Sequence, residues 1–228
     1  LSALVPQYPS NFIYKKLAFT LAETLITLGI IGIVAALTLP TLIQNYKEKQ
    51  TVALVKEMVT IDYPDLGALY NPNSGARENS QALFDEMSKH IKKIKSCEIK
   101  KGCMSETYIN LDRTISPGEK WDNLGNIVTG VLSNGTTFWV LGYYESPNKY
   151  NGQIGFDING NKKPNKLGVD FFHLNFDENG FVRRHPQVNY GCCALNGTSV
   201  CRYNGYGCLD WIMDYGNMDY LKRDISKK

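Results

Sequence analysis

The sequence has little excess charge of either sign and no low-complexity segment. Its 25 lysines and arginines are nearly balanced by 22 aspartates and glutamates, for a formal net charge of +3. Proteins that bind nucleic acids typically carry a much larger positive excess, so we do not expect nucleic-acid binding. Hydrophobic residues make up 43% of the 228 positions, enough to bury a core. This composition excludes intrinsic disorder, collagen and a pure coiled coil.

The sequence also lacks the short motifs of common enzyme classes. It contains no G-x-S-x-G, H-E-x-x-H or G-x-G-x-x-G motif and no phosphate-binding P-loop. The three histidines, His90, His173 and His185, are scattered along the chain. We therefore do not expect an enzyme.

Charge is nearly absent from one long stretch near the N-terminus. Glu23 is the one charged residue in Phe19–Leu42, and Thr27 and Thr38 are the only polar side chains in Leu25–Leu39. A helix needs about 20 residues to cross a bilayer, and a buried core helix is seldom apolar on every face over such a length. A cleaved secretory signal has a shorter apolar region, followed by a small-residue cleavage site. We therefore expect a membrane-spanning helix.

The residues on either side of this stretch predict its orientation and its length. Lys15 and Lys16 directly precede it, and positively charged flanks favour the cytoplasmic side, so the rest of the chain would be exported. Beyond the stretch, apolar residues continue at helical spacing up to Asp62, and Pro64 disfavours a longer helix. The pattern predicts one long helix that is membrane-embedded first and amphipathic later.

Two residues are costly inside a membrane helix. The carboxylate of Glu23 costs at least ~2.5 kcal/mol at the bilayer centre, and Pro40 removes a backbone donor at a cost of ~3 kcal/mol. A frayed helix end at the lipid headgroups would explain Glu23, and a helix end would explain Pro40. The residues alone leave these alternatives open.

The same residues carry a family resemblance. The sequence KKLA at 15–18 is followed by FTLAE at 19–23 and by the apolar run to Pro40. This segment resembles the N-terminus of type IV prepilins and type II secretion pseudopilins. The resemblance implies cleavage between Ala18 and Phe19 by a prepilin peptidase, with N-methylation of Phe19. Ala18 stands where the family usually has glycine.

The resemblance implies a domain organisation and a set of partners. Residues 1–18 would be the leader, 19–42 the transmembrane and assembly helix, and 43–228 an exported pilin-like domain. Glu23 and Pro40 would serve assembly, Glu23 by pairing with the amine of Phe19 on the neighbouring subunit. The implied partners are the prepilin peptidase and methyltransferase, further copies of the chain, other pilins, an inner-membrane assembly platform and membrane lipid.

Two functions remain open at this point. The first is a structural subunit of a type II secretion pseudopilus or a type IV pilus-like filament, polymerised through its N-terminal helix. The alternative is a single-pass anchored domain that binds a ligand or serves adhesion outside the cytoplasm. Both interpretations place the chain in the inner membrane, with its C-terminal domain in the periplasm or at the cell surface.

An exported domain changes the interpretation of the six cysteines. Disulfides form outside the cytoplasm, and Cys97 and Cys103 can close a short loop. The other four cysteines allow three pairings and lie close together in the sequence: Cys192, Cys193, Cys201 and Cys208. A zinc site is the competing interpretation, but the C-x-x-C spacing is absent.

The remaining pattern predicts an α+β fold. Apolar residues at helical spacing indicate a helix that Asn79 or Ser80 caps and that runs to Lys95. Alternating segments and tight turns predict strands at 127–132, 136–143, 153–158, 169–176 and 181–183, and a final helix at 209–215. We expect an antiparallel meander packed on the amphipathic half of the long helix, with a disulfide-stapled C-terminal region.

One predicted loop offers ligands for a metal. Oxygen-bearing side chains lie at Asp157, Asn159, Asn161 and Asp170. The first three alternate as they do at the start of a calcium-binding loop. However, no glutamate occupies the twelfth position, and two lysines follow Asn161. A network of Asx turns is the alternative interpretation. Apart from calcium in this loop, we expect no cofactor.

Overall fold

In the part of the chain that the structure describes, the fold is α+β, with a long N-terminal helix, two shorter helices and a small antiparallel sheet. The structure, a computed structural model, describes residues 20–60, 69, 71, 73–98, 103–105, 107–111, 125–142, 152–177, 180–182, 205 and 207–222. The chain divides into two compact units, Leu1–Asn45 and Tyr46–Lys228, and the first is described from residue 20 onward.

The elements follow one another in a simple order. The helices and strands are α1 (Leu21–Thr60), α2 (Ala76–His90), β1 (Lys93–Glu98), β2 (Ile127–Leu132), β3 (Thr137–Gly142), β4 (Gly152–Asp157), β5 (Phe171–Asp177), β6 (Gly180–Val182) and α3 (Cys208–Tyr215). A 3₁₀ turn, Asp219–Leu221, follows α3.

The helix α1 changes character along its 40 residues. Its N-terminal part is apolar and solvent-exposed, and it is the one helix in the described part of the chain that is long and apolar enough to cross a membrane. Pro40 lies inside the helix and does not end it. In the second unit the helix is amphipathic, since Val55, Met58 and Val59 are buried at a spacing of three to four residues.

The six strands of the described residues form an antiparallel sheet in the order β1-β2-β3-β4-β5-β6. Each strand therefore pairs with the next in the sequence, as expected for a meander. The turn between β2 and β3 contains Asn134 and Gly135, and Gly135 has a φ of 88°, in the left-handed region that favours glycine. The side chain of Asn134 accepts a hydrogen bond of 3.0 Å from the N–H of Thr136 within this turn.

Two apolar clusters cover the two faces of the sheet. Along β3, Phe138 and Val140 join the larger cluster, whereas Trp139 joins the smaller one, because successive side chains point to opposite faces. In the larger cluster Phe84 of α2 stacks on Phe138, with ring centroids 5.2 Å apart. The smaller cluster includes Tyr108 from the segment 103–111, which lies on the other face.

Several expected boundaries were wrong. The helix α2 ends at His90 instead of Lys95, because the backbone becomes extended at Ile91 and residues 93–98 pair with β2 as an edge strand. Its N-cap is Gly75, whose N–H donates to Glu78 Oε2 at 3.0 Å, and not Asn79 or Ser80.

The start of β5 also differs from the expectation. The strand begins at Phe171, so Val169 and Asp170 belong to the preceding turn. The backbone of this turn is held by the side chain of Asp170, which accepts main-chain hydrogen bonds from Asn165 and Lys166. These hydrogen bonds compete with extension of the strand.

The disulfide between Cys97 and Cys103 is present, as predicted. Cys208 is also disulfide-bonded, but its partner lies outside the described residues. Three other cysteines that were predicted to form disulfides, Cys192, Cys193 and Cys201, also lie outside the described residues. Their pairing therefore stays a prediction.

Candidate functional site

The first candidate site is the N-terminal end of α1. The main-chain N–H and the hydroxyl of Thr20 both donate to Glu23 Oε2 at 2.8 Å, and Glu23 N–H lies 3.3 Å from the Thr20 hydroxyl oxygen. This reciprocal arrangement is a capping box, which satisfies N–H groups that a helix start leaves without partners. Ala18 and Phe19, the predicted cleavage and methylation residues, lie outside the described part of the chain.

Thr27 and Thr38, two other polar side chains of the apolar segment, form hydrogen bonds within the helix. The hydroxyl of Thr27 lies 2.9 Å from the carbonyl oxygen of Glu23, and that of Thr38 donates to the carbonyl of Val34 at 2.8 Å. In residues 20–46 Glu23 is the one charged side chain. Its carboxylate is therefore the polar group of this segment best able to bind a cation.

The second candidate site is a buried cluster of carboxylates where β4 ends and β5 begins. Asp157 ends β4 and is fully buried, and Asp170 directly precedes β5 and is 3% exposed. Asn159 connects them: its main-chain N–H donates to Asp157 Oδ1 at 3.2 Å and its side-chain amide to Asp170 Oδ2 at 3.0 Å. The antiparallel pairing of β4 with β5 brings the two carboxylates together.

A third strand-like segment completes this cluster. The hydroxyl of the buried Tyr108 donates to Asp157 Oδ2 at 2.9 Å. The segment that contains Tyr108 is joined to the β4–β5 loop by a parallel bridge between Ile109 and Lys166. Its Ser105 hydroxyl oxygen accepts a hydrogen bond of 2.7 Å from the Asn165 amide.

Burial raises the pKa values of the acidic groups, and neighbouring negative charge adds to the shift at Asp157 and Tyr108. Loss of water around Asp157, together with the negative charge of Asp170, raises the pKa of Asp157 to about 8. Burial also raises the pKa of Asp170, although hydrogen bonds to its carboxylate, above all from the main-chain N–H groups of Lys166 and Asn165, oppose the shift. Burial and the charge of Asp157 raise the pKa of the Tyr108 hydroxyl, so this group stays protonated and donates. The cluster therefore attracts a proton or another cation.

Three of the four predicted metal ligands lie together in this cluster. Asp157, Asn159 and Asp170 are linked by hydrogen bonds, whereas Asn161 is exposed on the turn. Asn165 was not among the predicted ligands. It is buried and adopts a φ of 50°, in the left-handed region that asparagine tolerates better than most residues. Asn165 lies beyond the alternating positions 157, 159 and 161 that are similar to the start of a calcium-binding loop. No sequence pattern therefore singled it out.

The donor set fits a hard cation. Its members are carboxylate and amide oxygens, the ligands that Ca²⁺ prefers. The amide oxygens of Asn159 and Asn165 are buried and have no hydrogen-bond partner in the described part of the chain. Residues 20–222, within the described ranges, contain no group of three or more His, Cys, Asp or Glu side chains that could hold a metal. A cation here would therefore depend on asparagine as well as on aspartate.

Comparison with known proteins identifies no relative. No protein-family model, curated protein or solved structure matches the chain. The functional assignment therefore rests on the two candidate sites and on the sequence motif at the N-terminus.

Proposed function

We propose that this chain is a structural subunit of a type II secretion pseudopilus or a type IV pilus-like filament, polymerised through α1. The observation that carries the proposal is the exposed apolar part of α1, with Glu23 as its one charged side chain. Such a surface cannot remain in water, because exposed apolar area of this size is strongly unfavourable. Lipid covers it before assembly, and neighbouring copies of the helix cover it in a filament.

The position of Glu23 gives the proposal a mechanism. Its carboxylate lies in the first turn of α1, and Glu23 is four positions after Phe19, the predicted new N-terminus, in the sequence. Cleavage by a prepilin peptidase would release the α-amine of Phe19, which is largely protonated at neutral pH. The carboxylate of one subunit then pairs with the ammonium group of the next, and uncleaved chains cannot form this pair.

The second unit supplies the exported part of the filament subunit. Its core is continuous with the amphipathic part of α1, through Val55, Met58 and Val59. The C-terminal turn is also fastened to α1, since Lys222 Nζ lies 2.6 Å from Glu48 Oε2. In this proposal the unit lies in the periplasm or at the cell surface, and the assembly platform and other pilins contact the chain in the inner membrane.

The experiment that tests the proposal is N-terminal sequencing after expression with a prepilin peptidase. We expect a mature chain that begins with N-methylated Phe19. Co-expression with a catalytically inactive peptidase is the control and should leave Ala18 joined to Phe19. If the active peptidase also leaves this bond intact, α1 is a plain anchor and the chain is a membrane-anchored binding domain instead.

A further inference from the structure

A cleft in the second unit is lined by α1 and by two turns at one end of the sheet. Its volume is about 760 Å³, within the range of about 300–1,000 Å³ that is usual for ligand sites. Gln50, Ala53 and Leu54 of α1 line it, together with residues of the β2–β3 turn and of the loop that follows β4. All of them lie beyond the apolar segment of α1, within Tyr46–Lys228.

The two turns that line the cleft are packed against each other. The hydroxyl of Thr136 donates to the carbonyl of Ile158 at 3.3 Å. Gly160, with a φ of 66°, lies so close to the β2–β3 turn that a Cβ atom there would be 2.9 Å from the carbonyl oxygen of Gly135. Turns held in this way are formed before a ligand binds, which lowers the entropic cost of binding.

The polar side chains of the cleft can both donate and accept hydrogen bonds. Gln50, Asn134 and Asn161 contribute amide groups. Thr137 also lines the cleft and is only 4% exposed, and its buried hydroxyl oxygen has no hydrogen-bond partner in the described part of the chain. A buried hydroxyl without a partner is costly, and a ligand group that reaches it recovers the missing hydrogen bond.

Charge is distributed unevenly along the cleft. Lys162 is exposed and is the one charged residue among the described residues that line it. Near Thr137, in contrast, the buried Asp157 is the directly opposite residue on the neighbouring strand β4. A carboxylate on a ligand is therefore attracted to Lys162, whereas the surroundings of Thr137 favour a hydrogen-bond donor.

We propose that this cleft binds an extended peptide segment of a partner protein, with an acidic side chain of the peptide at Lys162. The main-chain N–H and C=O groups of such a segment alternate, and they match side chains that both donate and accept. Three partly buried apolar residues of the cleft, Leu54, Val131 and Ile158, offer a surface for the apolar side chains of the peptide.

A sugar ligand matches this cleft less well than a peptide does. Aromatic rings commonly stack on the apolar faces of bound sugars, and none of the described residues that line the cleft is aromatic. The proposal does not depend on how α1 assembles, because every residue it uses lies in the second unit.

The test is binding of the full-length chain, purified in detergent micelles, to an array of immobilised octapeptides in which all residue types occur at every position. Wild-type protein should retain peptides that carry an acidic residue next to apolar residues. Fluorescence anisotropy of the best retained peptide, synthesised with a fluorophore, then gives its affinity for each variant.

Lys162→Glu tests the charge preference. It should weaken binding of the acidic peptide by about three- to tenfold, because repulsion replaces attraction at an exposed site. On the array, the variant should prefer peptides with a lysine in place of the acid. Lys163→Glu is the matched control, since Lys163 is exposed next to Lys162 but does not line the cleft. It should change the affinity by less than about twofold.

Two further variants test the cleft itself. Ala53 is exposed on α1, so Ala53→Trp fills the cleft without disturbing the core and should abolish binding. Lys49→Trp places the same side chain at an exposed position of α1 outside the lining and should leave binding intact. Thr137→Val removes the hydroxyl that lacks a partner, and it should weaken peptide binding several-fold without lowering the melting temperature.

Three outcomes overturn the proposal. The first is that well-folded wild-type protein, checked by far-UV circular dichroism, retains no peptide. The second is that Ala53→Trp binds the peptide as tightly as wild type, which would place the peptide elsewhere. The third is retention of a neutral oligosaccharide such as maltohexaose in place of peptides. None of these results bears on cleavage before Phe19, so the proposed function fails or stands separately.

Discussion

The hydroxyl of Tyr108 donates a hydrogen bond of 2.9 Å to Asp157 Oδ2, and both residues are fully buried. They are 49 positions apart in the sequence, so this contact exists only because the chain folds. It fastens the segment 103–111 to the end of β4. Tyr108 also packs on Phe171, with ring centroids 4.2 Å apart, so the ring contributes independently of the hydroxyl.

Tyr108→Phe should lower the free energy of unfolding by about 1–3 kcal/mol. The change keeps the ring and its packing but leaves a buried carboxyl oxygen without its donor. Thermal or urea unfolding of the full-length chain in detergent micelles measures the effect. Tyr46→Phe removes a hydroxyl that is bonded to Gln50 on an exposed part of α1, and should change stability by less than about 0.5 kcal/mol. Equal effects of the two substitutions would contradict a structural role for the Tyr108 hydroxyl.

In metal-free buffer the chain should become less stable as the pH rises from about 4 to about 8. The pKa of Asp157 is raised from its ordinary 3.8 to about 8 in the folded chain. In this range the folded state keeps a proton that the unfolded state releases, so each unit of pH favours unfolding. The total loss is on the order of a few kcal/mol, and the raised pKa of Asp170 acts in the same direction.

Asp157→Asn should remove most of this pH dependence, because asparagine does not titrate. Unfolding at several pH values, with the same detergent and ionic strength throughout, compares the variant with wild type. A slope between pH 4 and 8 that is identical in the two proteins would mean that Asp157 titrates normally.

Gly155→Ala should destabilise the sheet by about 2–3 kcal/mol or more. A Cβ atom at Gly155 would lie 2.2 Å from the indole nitrogen of Trp139 on the neighbouring strand β3, so the buried indole would have to move. Gly125→Ala is the matched control, because a Cβ there meets no atom within 4 Å. Equilibrium unfolding of both variants measures the difference. A mild effect at Gly155 would show that Trp139 can repack.

Glu23→Gln should abolish filaments if the proposed assembly role is correct. Removing one partner of a buried ion pair costs ~3 kcal/mol or more, which weakens each subunit addition over a hundredfold. Glutamine also completes a capping box, so the start of α1 should be kept. Sheared filaments from cells measure assembly, and blots of membrane fractions check insertion and cleavage. Glu57→Gln, at an exposed position further along α1, is the matched control. Normal filament yield from Glu23→Gln would contradict the assembly role.

The regular parts of the fold were predictable because their signals are local. The strands β2 to β5 alternate or run apolar between turn residues, and each pairs with its neighbour in sequence, which requires only short loops. The helix α3 was predicted to within one residue of its observed start at Cys208. The edge strand β1 was not predicted, because Ile91 and Ile94 fit helical spacing. Only pairing with β2 makes residues 93–98 extended.

The sequence by itself determined the apolar segment of α1, the order of the meander and the presence of acidic and amide side chains in the β4–β5 loop. All three follow from the types of residues and their spacing within short segments of the sequence. The tertiary structure alone decided that Tyr108 reaches Asp157, and that Asn165 is buried whereas Asn161 is exposed. These contacts form across long chain separations, where desolvation and packing decide which polar groups meet, and no local pattern records that outcome.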